Sequence, residues 1–278
     1  MKASIGVIAV AGVAAFAGTA MADPVFFGDV GAGLGARTCG NSNDDPCRIH
    51  FAWDADGHVG AHLDHWVVQA DGQYERFESP DDAVDQVRSN LALGGHIAYL
   101  EHNWLLGGFG GAERMDVQHR DNWGGVYGAE GQYYFDHATV YAQVGYADII
   151  ERADSRFKGW FGRGVGRYFV NDDFMLQAEL AYGYSDEYED TGTNQWGEIV
   201  NWGFGATFRV ADPLYMTVAY QGGSYTANTE DDGSENAVMF RLTYAFGGGS
   251  LLARDHDGEA LDFPMLPGRA ANWAQALD

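Results

Sequence analysis

The sequence predicts an all-β fold, a transmembrane up-and-down antiparallel β-barrel with twelve strands. Three observations support this prediction. From Asn90 onward, apolar residues alternate with small or polar ones in segments long enough to cross a bilayer as tilted strands. The connections between these segments are by turns short and long, as in barrels with short periplasmic turns and longer extracellular loops. Aromatic residues near both ends of the segments are typical of the two membrane interfaces.

The chain begins with the features of a secretory signal peptide. Lys2 precedes an apolar run from Ile5 to Phe16, and the small residues Ala20 and Ala22 come shortly before Asp23. No later segment reaches the roughly 18 consecutive apolar residues that a transmembrane helix needs. We therefore expect residues 1–22 to be removed on export, residues 23–246 to form the barrel and residues 247–278 to form a periplasmic C-terminal tail.

The first strand is predicted over Val25 to Arg37, where one face is apolar or small. Cys39 and Cys47 follow it and flank a short polar segment. In an exported protein, an even pair of cysteines at this spacing is expected to form a disulfide.

Either one or three strands precede Asn90, which gives a barrel of ten or twelve strands. Two further segments, 46–54 and 58–68, alternate as strands do, and the Asp-Gly pair between them suits a tight turn over residues 54–57. We favour twelve strands for this reason. A short capped helix is expected to begin at Ser79 in the second long loop.

The remaining strands follow from the alternation alone. They are predicted over 90–101, 103–115, 123–135, 139–151, 158–170, 175–188, 196–210, 215–227 and 236–246. Two rings of interfacial aromatic residues are expected near their ends. The ring beside the short turns comprises Tyr99, Trp104, Phe135, Tyr168, Phe208 and Tyr215, and the ring toward the long loops comprises Trp123, Tyr146, Trp160, Tyr184, Trp196 and Tyr225.

The last predicted strand carries a motif that ends in an aromatic residue: Val238, Phe240, Leu242, Tyr244 and Phe246. In this motif and in its periodicity from Val25 to Phe246, the chain resembles bacterial outer-membrane β-barrel proteins, porin-like in the broad sense and of no particular subfamily. The resemblance implies a place in the lipid of the outer membrane and recognition of the motif by the barrel-assembly machinery. Such proteins usually end at the aromatic residue, whereas this chain continues.

The continuation begins with GGGS, which has the composition of a flexible linker. The tail is too short to form a core of its own. It is either disordered, or a plug in the mouth of the barrel, or a segment that docks on a periplasmic partner. Docking is favoured, because the tail carries the large apolar residues Leu261, Phe263, Met265, Leu266 and Trp273.

Charged residues fall on the predicted inner face of the barrel, and they are expected to line its lumen. They are Arg163, Arg167, Arg209, Arg241, Glu113, Glu130 and Glu179. One interpretation is a water-filled pore whose charges select solutes, and the other is a lumen filled by mutual ion pairs. The pairs expected are Arg167 with Glu179 and Arg241 with Asp29.

Histidines suggest a second site. The predicted hairpin would place His50 opposite His62, with His96 on the next strand, a candidate set of zinc or nickel ligands. The alternative interpretation is that these histidines are ordinary polar residues of the lumen and bind no metal. No other cofactor is expected.

The predicted function is a narrow passive pore for small solutes or ions. The alternatives are a closed structural or adhesive barrel with acidic loops and an outer-membrane hydrolase. The formal net charge of −24 argues against nucleic-acid partners, which require a basic surface. We expect no catalytic residue and no enzyme, because no strand carries a serine and a histidine placed to act together.

Overall fold

The computed structural model describes residues 24–41, 49–78, 88–117, 120–150, 156–190, 193–227 and 232–265. These residues form a closed barrel in which each strand pairs antiparallel with its neighbours in sequence and β1 pairs with β12. The twelve-stranded up-and-down barrel is therefore confirmed. Its strands are β1 Val25–Asn41, β2 Ile49–Leu63, β3 Trp66–Glu78, β4 Arg88–Glu101, β5 Trp104–Val117, β6 Arg120–Phe135, β7 Ala138–Ile150, β8 Arg156–Asn171, β9 Phe174–Asp190, β10 Thr193–Ala211, β11 Leu214–Ala227 and β12 Asp232–Phe246.

The strands present apolar side chains outward, and their polar and charged side chains lie mainly inward, together with an apolar cluster. In β7, Val144 is 60% exposed on the outer surface, whereas the adjacent Gln143 is 4% exposed and faces the interior. In β12, all five residues of the C-terminal motif lie on the outer face. An apolar outside with a polar inside inverts the arrangement of a water-soluble barrel, and it is the arrangement that a lipid bilayer requires.

The hairpin predicted around residues 54–57 is wrong. β2 continues through Asp54 and Gly57, which pair with Gly33 and Val30 of β1, and the chain turns at residues 64–65 instead. The Asp-Gly pair favours a turn locally, but a barrel interior accepts an aspartate in mid-strand. The number of strands is unchanged because the hairpin has moved along the chain. Residues 79–87 of the predicted helix lie outside the described residues, and the segment's last residues belong to β4.

Two connections predicted to be long are shorter in the structure. β5 and β6 extend to Val117 and Arg120, and β9 and β10 extend to Asp190 and Thr193, so charged residues expected in loops continue the strands. Two aromatic residues assigned to the interfacial rings are also misplaced. Tyr215 and Tyr225 are buried inside the barrel.

The described chain contains one helix, α1, at Leu251–His256. Within the described ranges, no helix has the length and hydrophobicity that crossing a membrane would require. The residues after β12 instead enter the barrel, as described below.

The outward placement of Val144 predicts the effect of a charge at that position. Val144→Arg places a guanidinium near the middle of β7 against lipid and is expected to lower the free energy of unfolding by about 2–4 kcal/mol. Urea unfolding of the protein in lipid vesicles measures this change. Asp136→Arg, in the exposed turn between β6 and β7, serves as the control and is expected to cost about 0–1 kcal/mol. Equal losses in the two variants would contradict the assignment of faces.

Candidate functional site

The chain reverses direction directly after β12 and enters the barrel. Gly247, Gly248 and Gly249 have φ values of 104°, 82° and 94°, a left-handed conformation that glycine adopts without steric cost. Ser250 then caps α1, its side-chain oxygen accepting a hydrogen bond from the Ala253 N–H at 3.1 Å. GGGS is therefore an ordered turn and cap, and the prediction of a flexible linker is wrong. We call residues 250–265 the plug.

The beginning of the plug is fixed at the rim of the barrel that carries the short turns. The Tyr215 hydroxyl donates to the Gly249 carbonyl at 3.1 Å, and the Arg209 guanidinium donates to the same oxygen. On the neighbouring turn, the Leu252 N–H donates to the Asp172 carbonyl at 3.1 Å. These contacts direct the helix across the mouth of the barrel.

Arg254 of α1 connects the plug to the first strand. Its guanidinium lies 3.2 Å from Asp29 and 2.9 Å from Glu259, and it donates to the Gly28 carbonyl at 3.4 Å. Since β1 closes the barrel against β12, this arginine joins the segment that follows β12 to the strand beside it.

Asp255 forms a buried ion pair with Arg167 of β8 at 2.7 Å. The Thr139 hydroxyl donates to the other oxygen of this carboxylate, and Arg167 also donates to the Ala260 carbonyl at 3.0 Å. The predicted pair of Arg167 with Glu179 is wrong, because the register places Gln177 opposite Arg167. An acidic residue of the tail takes the place expected for a residue of the wall.

Asp262 forms the second ion pair, 2.6 Å from Arg163 of β8. Arg163 also contacts Glu179 of the wall at 2.8 Å, so it is shared between the wall and the plug. Enclosure inside the barrel by itself raises the pKa of Asp262, but Arg163 and Arg167 outweigh this effect and hold that pKa below its usual value. Asp262 is therefore ionised at neutral pH.

The tip of the plug fits a notch in the wall made by glycines. Gly94 of β4 and Gly111 of β5 are directly paired, and the ring of Phe263 lies over both. A side chain at Gly94 would place its Cβ 2.5 Å from the first ring carbon of Phe263. The ring also packs edge-on against Phe109, with ring centroids 6.2 Å apart.

Leu261 packs in an apolar cluster inside the barrel. The wall residues of this cluster are Phe27, Val67, Ala98, Leu105, Tyr134, Tyr141 and Val165. Leu261, Phe263 and Met265 are all buried within the barrel, so docking of these three residues on a periplasmic partner is not supported. Leu266 and Trp273 lie outside the described residues.

A network of charged and polar side chains on the barrel wall contacts the plug. His96 lies 2.8 Å from Asp71 and 2.7 Å from Glu130, and both contacts are buried. The Tyr141 hydroxyl donates to Glu130 at 2.6 Å, and Gln69 donates to the Leu261 carbonyl at 2.7 Å. An imidazole between two carboxylates acts here as an ion-pair partner, because both ring nitrogens face acidic oxygens.

The structure does not bring the three predicted metal ligands together. His50 and His62 lie at opposite ends of β2 rather than facing each other, and His96 is held between Asp71 and Glu130. No group of three His, Cys, Asp or Glu residues in the described ranges is placed to hold a metal ion. A zinc or nickel site at these histidines is therefore not supported.

The other predicted lumen residues also have partners. Arg209 lies 3.0 Å from Asp173 at the rim. Arg241 lies 3.1 Å from Asp54 and 3.3 Å from Asp56, and the expected pair with Asp29 is wrong because Ala245 lies opposite Asp29.

The acidic residues of the predicted lumen set differ in their surroundings. Glu113 is fully buried in β5, Glu130 belongs to the His96 network, and Glu179 contacts Arg163. Every arginine of the predicted set therefore lies beside a carboxylate. Two of these arginines take a carboxylate from the plug.

A cavity of about 210 Å³ remains beside the plug. It is bounded by the plug on one side and by strands on the other, and its wall includes Asp54, Glu75, Gln177 and Gln221. A second cavity of about 140 Å³ continues along Thr207 and Thr217 toward the end that carries the short turns. Both cavities share Asp54, Gln177, Glu179, Asn201, Gln221 and Arg241.

The sequence contained signals of the plug that its composition alone did not resolve. Asp255, Glu259 and Asp262 occur in the same short tail as Leu261 and Phe263, as expected for a segment that contacts both charged and apolar groups. Gly94 and Gly111 lie in glycine-rich strands, and nothing in the neighbouring sequence distinguishes these two glycines from the others as a binding notch.

The predicted disulfide is not supported. Cys39 lies near the C-terminal end of β1, opposite Glu235 of β12. Cys47 lies outside the described residues. The pairing therefore stays a prediction, as does the signal peptide, which also lies outside the described residues.

Comparison with known proteins identifies the fold. No protein-family profile matches the chain, and no curated protein sequence matches it. Among solved structures, the COG4313 outer membrane channel from Pseudomonas putida F1 is similar, with 15% identity and a TM-score of 0.55 over 81% of this chain and 97% of that one.

Two further solved structures are more distant. A deletion mutant of the TodX monoaromatic hydrocarbon channel has 9% identity and a TM-score of 0.47, over 81% of this chain and 90% of that one. The KdgM porin in complex with disordered oligogalacturonate has 9% identity and a TM-score of 0.42, over 77% and 99%. At 15% identity, the likeness to the COG4313 channel concerns the fold, which is that of an outer-membrane β-barrel. The apolar outer face of this barrel is the surface that a lipid bilayer requires.

The glycine notch predicts how the plug can be loosened without deleting it. Gly94→Val would force the Phe263 ring from the wall, and overpacking of this kind costs about 1–3 kcal/mol. Hydrogen exchange in residues 257–265 is therefore expected to accelerate about tenfold or more, since about 1.4 kcal/mol corresponds to tenfold.

Gly205→Val on β10 is the matched control, because its added Cβ meets neighbouring atoms only at 3.6 Å and 3.7 Å. Exchange in the plug should remain at the rate of the unaltered protein in this variant. Faster exchange in the control alone, or in neither variant, would show that the notch does not hold the plug.

Proposed function

We propose that the protein is a narrow passive pore of the outer membrane for small solutes or ions, and that its own C-terminal plug restricts the lumen. The observation that carries this proposal is the room inside the barrel. A barrel filled by the side chains of its own wall could not accept a helix and the extended segment that follows it. The twelve strands therefore enclose a lumen wide enough for a polypeptide.

The wall is complete without the plug. The backbone pairing that closes the barrel is made by β1 to β12, and residues 247–265 contribute no strand to it. The plug is joined to the wall covalently only through β12, and its other described contacts are ion pairs, hydrogen bonds and the apolar packing of Leu261 and Phe263. Departure of the plug would therefore leave the wall intact.

The wall that the plug covers is polar enough to hold water. Arg163, Arg167, Gln69, Gln143 and His96 all face the plug or lie beneath it. Water can replace the hydrogen bonds that these side chains make with the plug. A hydrated, charged lining of this kind selects the solutes that pass.

A closed structural or adhesive barrel is the second candidate, and one observation favours it. The pair Asp255–Arg167 is buried, and breaking a buried pair by removing one partner costs about 3–5 kcal/mol. A plug held by this pair, with Asp262–Arg163 beside it, could remain in place permanently. Conductance distinguishes the two candidates.

Two further elements belong to the proposal. Residues 1–22 direct export as a signal peptide, and the barrel-assembly machinery recognises the motif that ends at Phe246. We propose no enzymatic activity and no cofactor.

Truncation after Phe246 tests the proposal directly. The shortened chain ends at the aromatic residue of its assembly motif, and its lumen lacks the plug. In planar bilayers it is expected to give discrete conductance steps severalfold larger than those of the full-length protein. Silence from both proteins, although both fold as judged by heat-dependent migration on a gel, would favour the closed barrel.

Neutralising the two ion-paired acids tests the same proposal in the full-length chain. Asp255→Asn with Asp262→Asn removes the plug carboxylates from Arg167 and Arg163, so the plug is expected to leave the lumen more often and the conductance to approach that of the truncated protein. Asp257→Asn is the control, because Asp257 is exposed and contacts neither arginine. A double variant that conducts like the unaltered protein would contradict a plug held by these pairs.

A further inference from the structure

The space beside the plug carries an inference about which solutes pass. The larger cavity is lined by strands of the wall on one side and by residues 262–265 on the other. Together with the adjoining cavity along Thr207 and Thr217, it is space inside the barrel that the described part of the plug leaves unfilled. A solute that crosses while the plug is in place therefore meets this lining.

Acidic groups outnumber basic groups in the lining. Among the described residues, five carboxylates and two guanidinium groups face the larger cavity: Asp54, Asp56, Glu75, Glu179 and Asp262, with Arg163 and Arg241. Each arginine is shared by two of the acids, Arg163 by Glu179 and Asp262, and Arg241 by Asp54 and Asp56. The groups that line the larger cavity therefore comprise three more carboxylates than guanidinium groups.

Arg163 and its two acidic partners also differ in how much of their side-chain surface is accessible. The side chains of Glu179 and Asp262 keep 27% and 38% of their surface accessible, whereas that of Arg163 keeps 8%. Since these groups lie inside the barrel, the accessible carboxylate surface faces the cavity. The guanidinium is therefore the most shielded side-chain group of this cluster, and its two acids are the more accessible ones.

Asn201 of β10 provides an independent observation. Its side chain lines both cavities and the residue is only 6% exposed, yet its side-chain oxygen has no hydrogen-bond partner within the described chain. A buried acceptor left unsatisfied costs about 1–3 kcal/mol. Amide and carboxylate oxygens are ligands of hard cations and acceptors for ammonium groups, and this acceptor lies in the wall of both cavities beside the carboxylates.

We propose that the space beside the plug is a passage for small monovalent cations, either alkali-metal ions or compact organic ammonium ions, and that it repels anions. This inference rests on the proposed pore function. The arginines already engage the carboxylates in pairs, and no three ligands in the described chain are placed to hold a metal ion. The cation therefore passes through the site and is not retained there as a structural metal.

The test measures the reversal potential of the full-length protein in a planar bilayer across a gradient of potassium chloride. The unaltered pore is expected to favour potassium over chloride. Asp56→Asn with Glu179→Gln removes two carboxylates and leaves each arginine with one acid, Asp54 for Arg241 and Asp262 for Arg163. Neutralising one charge at about 8 Å in water is expected to change the preference about twofold.

Asp64→Asn with Asp136→Asn is the matched control. It removes the same number of charges from two exposed periplasmic turns, and it should keep the preference of the unaltered protein. A preference that falls toward one in the lumen variant alone supports the passage. Replacing potassium by tetramethylammonium then separates the two kinds of cation by whether current persists.

The outcomes separate the inference from the function on which it rests. A pore that conducts but favours chloride, or whose preference is the same in the lumen variant, overturns the cation passage and leaves the pore standing. Loss of preference in both double variants assigns selectivity to the surface charge and also overturns the passage. Silence from every variant, including the chain truncated after Phe246, overturns the pore and the inference with it.

Discussion

Two ion pairs that cross from the tail to the wall, Asp255 with Arg167 and Asp262 with Arg163, hold the plug in the lumen. Each arginine points into an enclosed space, where a guanidinium without an acidic partner would carry a desolvation cost of several kcal/mol. The wall alone supplies Arg163 with Glu179, whereas Arg167 gains its acid only when the plug brings Asp255 into reach. The charges of the lumen and the charges of the tail therefore complement each other.

The same pairs explain why the plug can be both specific and removable. Leu261 and Phe263 fill an apolar cluster and a glycine notch, which fix the position of the plug. Its polar contacts, by contrast, are made to groups that water can hydrate when the plug leaves. A chain segment held in this way restricts the lumen without being a structural part of the barrel, and the acidic lining beside it decides which ions approach.

Sequence reasoning succeeded where the physical cause is local. Alternation along a strand reports directly which residues face lipid, and it predicted the barrel and its number of strands. It failed where the cause is distant, since Arg163 and Asp262 are 99 residues apart and Arg167 and Asp255 are 88 apart. The misplaced hairpin lies between these two cases. Phe51 and Val59 share the outward face of β2 across the predicted turn, so the alternation itself indicated that the strand continues.

A reversible cross-link between the plug and the wall is the most direct test of a plug seated in the lumen. The variant combines Gly94→Cys and Phe263→Cys in a chain whose native cysteines are replaced by Cys39→Ser and Cys47→Ser. We predict that the two new cysteines form a disulfide. Adding reductant should then raise the conductance, because the released plug no longer carries the Phe263 ring that anchored it. Gly205→Cys with Phe263→Cys, on the opposite wall, should form no cross-link. Failure of the first pair to cross-link in the folded protein, or a conductance that reduction leaves unchanged, would contradict this position of the plug.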